Sequence, residues 1–204
     1  MIRMRHKTTQ SVLNYFNLVR NGESAPLRAD IEPQALKTVL PDVFILEIGQ
    51  FGGFRFRLAG TRVCAILGQE ARGTDLLSYF APAQRHKMKL AAESVLANRS
   101  PLSIDIIGLL DGEEPLAYEM LLLPLRSLGD LCDRLLGSLT AIESVPRFGD
   151  RGRTLEAGRL SFIRGDATEQ RPSPLADIAI SSPAPSPFAT RIQHLRLLQG
   201  GRQD

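Results

Sequence analysis

The sequence predicts an α+β domain: a five-stranded antiparallel sheet with helices on one face, preceded by an amphipathic helix. Three observations predict it. Two short strand-like runs, VFILEI (43–48) and FRFRLA (54–59), flank a loop with adjacent glycines at 52 and 53, a hairpin signal. From Thr61 to Asn98 the apolar residues recur with helical spacing instead. Three further runs, 101–110, 115–125 and 131–142, are joined by the turn signals DGEE and SLGD, which reads as an antiparallel meander. Two strands before the helices and three after them make one sheet.

Composition bounds the rest. The chain has 204 residues, of which 43% are hydrophobic, enough for one domain with extensions. The apolar residues concentrate between Leu36 and Ile142. The net charge is +3, and the basic residues are mostly arginines spread along the chain, which argues against a dedicated nucleic-acid-binding surface. The two cysteines, Cys64 and Cys132, sit in apolar surroundings and read as small core residues rather than a disulfide or metal framework. The basic start MIRMRHKTTQ is followed by no apolar run of the kind a signal peptide needs. No apolar run approaches the roughly 18 residues that span a bilayer. The expectation is a soluble cytoplasmic protein with no membrane contact.

Taken in order, residues 8–20 place Val12, Leu13, Phe16 and Val19 on one helical face. Asn21-Gly22 ends that helix. Asp30 and Pro33 open a short helix, and Pro41-Asp42 turns into VFILEI. In the second strand Phe54, Phe56 and Leu58 alternate with Arg55 and Arg57, one buried face against one solvated face. Thr61 reads as an N-cap and Gly68 as a C-cap of a two-turn helix carrying Val63, Ile66 and Leu67. GTDLLSYF leads to a longer helix whose Met88, Ala91, Ala92, Val95 and Leu96 line one side. In the meander, Leu121, Leu123 and Leu135 alternate with an inward set and need cover on the outer face of the sheet. Beyond Val145 the chain becomes rich in Gly and Arg, and then in Pro, with too little apolar surface to offset its ordering entropy. The predicted organisation is therefore a helix and lead-in over 1–29, a domain over 30–144, a flexible linker over 145–190 and a short segment over 191–204. That last segment carries Ile192, Leu195 and Leu198 at helical spacing.

RLAGTRVCAILGQEARGTDLLSYF resembles the signature of a bacterial family of single PAS domains. EMLLLPLRS and LLGSLTAI match that family's paired closing strands, and the terminal HLRLLQGG resembles its usual tail. The likeness covers about 30–142 and the last dozen residues. It implies a PAS-like fold and a signalling or regulatory role without an attached catalytic domain. It supplies no catalytic residues.

The function this supports is a non-catalytic signalling adaptor acting through protein contacts. Its partners would be a second copy of itself and an unidentified signalling protein. Val12, Leu13, Phe16 and Val19 are the candidate dimer contact. The alternative is a sensor that binds a small molecule or haem between sheet and helices. Its candidate lining is Phe44, Phe54, Phe56, Leu58, Ile66, Leu90, Ile106, Met120 and Leu122, with His86 as the candidate haem ligand. The polar residues interleaved with that lining (Arg55, Arg57, Asp105, Tyr118 and Glu119) read as solvated or interfacial. No cofactor is identified and no metal is expected. Gly60 is followed neither by the Walker pattern nor by a dinucleotide fingerprint, so it reads as a corner between strand and helix. Cys64 lies in RVCAIL rather than in a flavin photosensor's reactive motif. No convergent acids, bases or nucleophiles point to an enzyme.

Overall fold

The computed structural model describes residues 6–49, 52–143 and 152–163. Among these residues six strands form one antiparallel sheet: β1 (Val43–Ile48), β2 (Phe54–Ala59), β3 (Leu102–Leu109), β4 (Leu116–Arg126), β5 (Cys132–Ala141) and β6 (Thr154–Phe162). Their spatial order is β2-β1-β5-β4-β3-β6. Among the described residues three α-helices accompany them: α1 (Lys7–Arg20), α2 (Thr61–Leu67) and α3 (Arg85–Asn98). Short 3-10 turns, among them Pro33–Leu36 and Leu76–Tyr79, complete the connections.

The α+β class and the antiparallel sheet are as predicted; the count of five strands is not. Residues 154–162, which the composition assigns to a linker, form β6 along the free side of β3. The reason lies in a bulge. Leu155 and Ala157 drop into the core, and then Gly158 and Arg159 together oppose Asp105 of β3 before Leu160 and Phe162 pack against the core again. One extra residue shifts the inward parity from odd to even, so TLEAGRLSF shows no clean alternation. Its lead-in is tied down as well, with the Arg153 N–H donating to the Ile66 carbonyl at 3.1 Å. The rest of the predicted linker, 145–151 and 164–190, and the segment 191–204 lie outside the described residues.

The helices divide between the two faces. α2, α3 and the turn at Leu76–Tyr79 cover the inner face, in one cluster with Phe44, Leu46, Phe56, Ile104, Met120 and Leu139. α1 covers the outer face. Its Val12, Leu13 and Phe16 are buried against Val43, Ile45, Leu121, Leu123, Leu125 and Leu136, and Val19 packs at the margin. The residues predicted to meet a second copy are thus spent on the chain's own sheet. The outer face holds a continuous run of leucines, and burying each apolar side chain there gains about 1.5–3 kcal/mol. Leu121 and Leu123 face outward as expected, but Leu136 takes the place assigned to Leu135, which points inward.

α1 starts and stops on local signals. The His6 imidazole accepts from the Thr8 N–H at 3.2 Å, which caps the first turn. Asn21 closes the other end in the left-handed conformation, its N–H bonded to Leu18.

Candidate functional site

The candidate site is the layer between the inner sheet face and α2–α3. Of the predicted lining, Phe44, Phe54, Phe56, Ile66, Ile106, Met120 and Leu122 are all buried there in one cluster. Phe44 meets Phe56 edge to face at 5.5 Å, and Phe56 meets Tyr79 likewise at 6.1 Å. The Phe44 ring lies over Gly137, its cross-strand partner on β5, so closely that any β-carbon at 137 would overlap it. A glycine in a central strand normally weakens it; here an aromatic ring takes the missing side chain's place.

Leu58, Leu90 and His86 are not part of this layer. Leu58 is 43% exposed because β2 bulges at Arg57. Phe56 pairs with Leu46, but Leu58 pairs with the outward-facing Ile45, and Ala59 takes the inward place opposite Phe44. The alternation that predicted Leu58 breaks one residue before it. Leu90 is 39% exposed, since it lies about 200° around α3 from Met88. His86 stands exposed in the first turn of α3 between Arg85 and Lys87. It belongs to the surface of that helix, away from the buried cluster.

Gly60 is the corner the sequence predicted. Its N–H donates to the Val43 carbonyl at 2.8 Å, and a β-carbon there would overlap the Leu40 carbonyl oxygen. Gly60, not Thr61, is the N-cap of α2. Nearby, Arg62 clamps the buried Asp42 carboxylate through Nε at 2.7 Å and through its second nitrogen at 2.5 Å. That hydrogen-bonded pairing raises the guanidinium pKa.

The structure corrects the solvated or interfacial reading of Tyr118. It is 1% exposed and packs in the inner cluster. Its hydroxyl has no hydrogen-bond partner among the described residues. Burial pushes the phenol pKa up, against the pull of Arg153. Arg153 itself donates to the carbonyls of Gly108 and Glu114 and pairs with Glu113 at 2.5 Å. The signal was present: Tyr118 shares its parity with Met120 and Leu122, so the period-2 rule already turns it inward.

The outer face is chemically mixed. Glu119 is 2% exposed and accepts from the His6 backbone N–H at 3.2 Å. The hydroxyls of Thr9 and Thr140 lie 3.4 Å apart beneath α1. Ser138, fully buried on the same strand, has an Oγ with no partner among the described residues. Both cysteines are free and half-buried at the margin of the inner cluster rather than within the core, and burial pushes each thiol pKa up. Among the described residues no three His, Cys, Asp or Glu side chains gather as a metal site, and no helix is long and apolar enough to cross a membrane.

Comparison with known proteins bears on what this arrangement is. No curated protein matches the chain. Among solved structures, an RNA-binding Light-Oxygen-Voltage receptor aligns with 19% identity and a TM-score of 0.39 over 52% of this chain, and the chain spans 31% of that one. The PAS domain of a protein from Colwellia psychrerythraea aligns with 13% identity and a TM-score of 0.41 over 54% of this chain and 97% of its own. The profile of the PAS domain family matches residues 4–140, which takes in α1 and the first five strands, and on that match the chain belongs to the PAS domain family.

Proposed function

We propose that this PAS domain, a member of a family of signalling and sensing modules, is a non-catalytic adaptor that acts in the cytoplasm through protein contacts. The observation that carries the reading is the filling of the inner layer by the chain's own side chains, above all the Phe44 ring seated over Gly137 against Phe56. The partners in this reading are a second copy of the chain and a signalling protein. The moving part is α1, held to the sheet partly by leucines and partly by polar contacts. A partner that binds the sheet and the helix differently shifts the population of α1-bound and α1-released forms.

Native mass spectrometry of the purified full chain tests the adaptor reading, together with thermal shifts in the presence of haem, flavin and a metabolite mixture. A protein that carries nothing and responds to nothing fits an adaptor. A stoichiometric bound molecule overturns that reading. Sedimentation velocity over a range of concentrations measures the homodimer.

A small-molecule sensor is the second reading, favoured by one observation: the buried Tyr118 hydroxyl lacks a partner. A buried unsatisfied hydroxyl costs free energy that a bound polar ligand would recover. The site in that reading is Tyr118 with Phe44, Phe54, Phe56, Ile106, Met120 and Leu122. Tyr118→Phe would then abolish the ligand-induced thermal shift while the fold persists. Haem ligation by His86 has no such support, because that imidazole is exposed at the start of α3.

A further inference from the structure

The outer face of the sheet continues past the rows that pack with α1. On β1 the outward residues run Val43, Ile45, Glu47, and on β5 their partners run Ser138, Leu136, Arg134. Ile45 and Leu136 belong to the apolar cluster under α1, and the next pair along, Glu47 and Arg134, lies beyond it. From the other side Arg55 of β2 also pairs with Glu47 in register, and Arg57 forms an ion pair with the same carboxylate at 3.3 Å. Arg55 and Arg57 are exposed, and so is Leu58, which shares this face opposite Ile45.

The charges on this surface do not balance. Three guanidinium groups from two strands surround Glu47. Asp75 lies across the free side of β2 from Arg55, but its Oδ1 accepts from the N–H groups of Phe54 and Leu77, and it forms no ion pair with Arg55. Among the described residues neither Arg55 nor Arg134 has an ion pair, and the Nε of Arg134 is buried with no acceptor. A partly buried guanidinium without an anion costs free energy, which a carboxylate brought from outside recovers.

The geometry says what shape that partner has. Arg55 and Arg134 stand two strands apart, about 10 Å. Positions i and i+7 of a helix are also about 10 Å apart and lie on nearly the same side. α1 already packs on this face, so the surface accepts a helix. Glu47, in the middle, repels a third acid between those two positions. No aromatic side chain stands at these register positions, so the surface offers nucleic-acid bases nothing to stack on.

We propose that the outer face of β2–β1–β5 is the docking site for an acidic helix of a partner protein. Two carboxylates seven residues apart on that helix pair with Arg55 and Arg134, and an apolar side chain on its flank covers Leu58. This rests on the adaptor reading and adds to it where the partner binds and by what chemistry.

Fluorescence anisotropy with the full chain at low salt tests it. The probe is a labelled, alanine-rich helical peptide with two glutamates seven residues apart and leucine between them. Wild type should bind it, and added salt should weaken the binding. Arg55→Glu/Arg134→Glu should weaken it at least about tenfold, and the same peptide with lysines in place of the glutamates should bind that variant and not the wild type. A urea titration checks that the variant folds. If it does not, Arg55→Glu/Arg57→Glu, confined to the exposed side of β2, carries the same expectation. No binding by wild type, or equal binding by the folded variants, overturns the proposal. Tighter capture of a uridine oligonucleotide or of phosphatidylserine vesicles, lost in the same variants, assigns the face to another polyanion and also overturns it. The adaptor reading falls instead on a small molecule carried by the purified chain, so the two failures are distinct.

Discussion

The two faces of the sheet are built on different rules. The inner layer, under α2 and α3, is apolar and aromatic, with one buried phenol whose hydroxyl goes unanswered among the described residues. The outer layer, under α1, is split. Leu121, Leu123, Leu125 and Leu136 grip the helix along Val12–Phe16, while Thr9, Thr140, Glu119 and His6 hold its start by hydrogen bonds. Apolar contacts over a whole layer unfold together with the domain. A single helix held partly by polar contacts can open on its own, because those bonds exchange with water at small net cost. The difference gives a testable expectation: α1 should open more readily than the helices of the inner layer.

The largest effect belongs to the inner layer. Phe56→Ala should cost about 3–5 kcal/mol of global stability, read as a lower urea midpoint at similar slope. Phe16→Ala, on the outer layer, should cost about 3 kcal/mol locally. It should release α1 amides to exchange while those of β4 and β5 stay protected. If Phe16→Ala lowers protection everywhere alike, the two layers are one cooperative unit and the contrast fails.

Tyr118→Phe sharpens the inner side. Removing an unsatisfied buried hydroxyl should leave stability unchanged or raise it by up to about 1 kcal/mol. It should also alter the alkaline limb. Burial raises the folded phenol pKa above its ordinary 10.0, so the neutral form is the one the fold favours. The stability tied to it is fully present below pH 10 and is lost as pH rises through the folded pKa. Thermal melts between pH 9 and 11 should show this loss in wild type and less of it in Tyr118→Phe.

The smallest effect is expected from Leu18→Glu. Leu18 is 77% exposed on the solvent side of α1, so stability should change by under about 0.5 kcal/mol. A large loss by urea titration would mean that this side of the helix is covered too.

Much of the fold was legible because most elements obey one period throughout. VFILEI, the strands β3 and β4 and the Met88–Leu96 stripe keep their parity, and the structure places them as the sequence reads; β5 does not, because its register shifts near Asp133 and Leu135 faces inward where the sequence reading turned it outward. The failures share a cause. Leu58 and the whole of β6 were misread because a single extra residue, at Arg57 and at Gly158–Arg159, reverses which side chains face the core. Parity is a strong signal, but only up to the next bulge. α1 was misplaced for another reason. A helical stripe reveals that a face must be buried but not against what, and the own-sheet leucines were nearer than a second copy. Tyr118 was legible and misread, since a polar atom at the tip of an aromatic ring outweighed the position of its β-carbon.

The sixth strand changes where the chain can safely be cut. A fragment ending near residue 144, the boundary that composition favours, would strip β3 of its neighbour. Eight residues, LSIDIIGL, would then present a bare row of amides and carbonyls beside Ile104 and Ile106. Such an edge invites copies to stack strand upon strand. For anyone expressing this domain, a fragment that runs through Phe162 keeps the β3 edge paired.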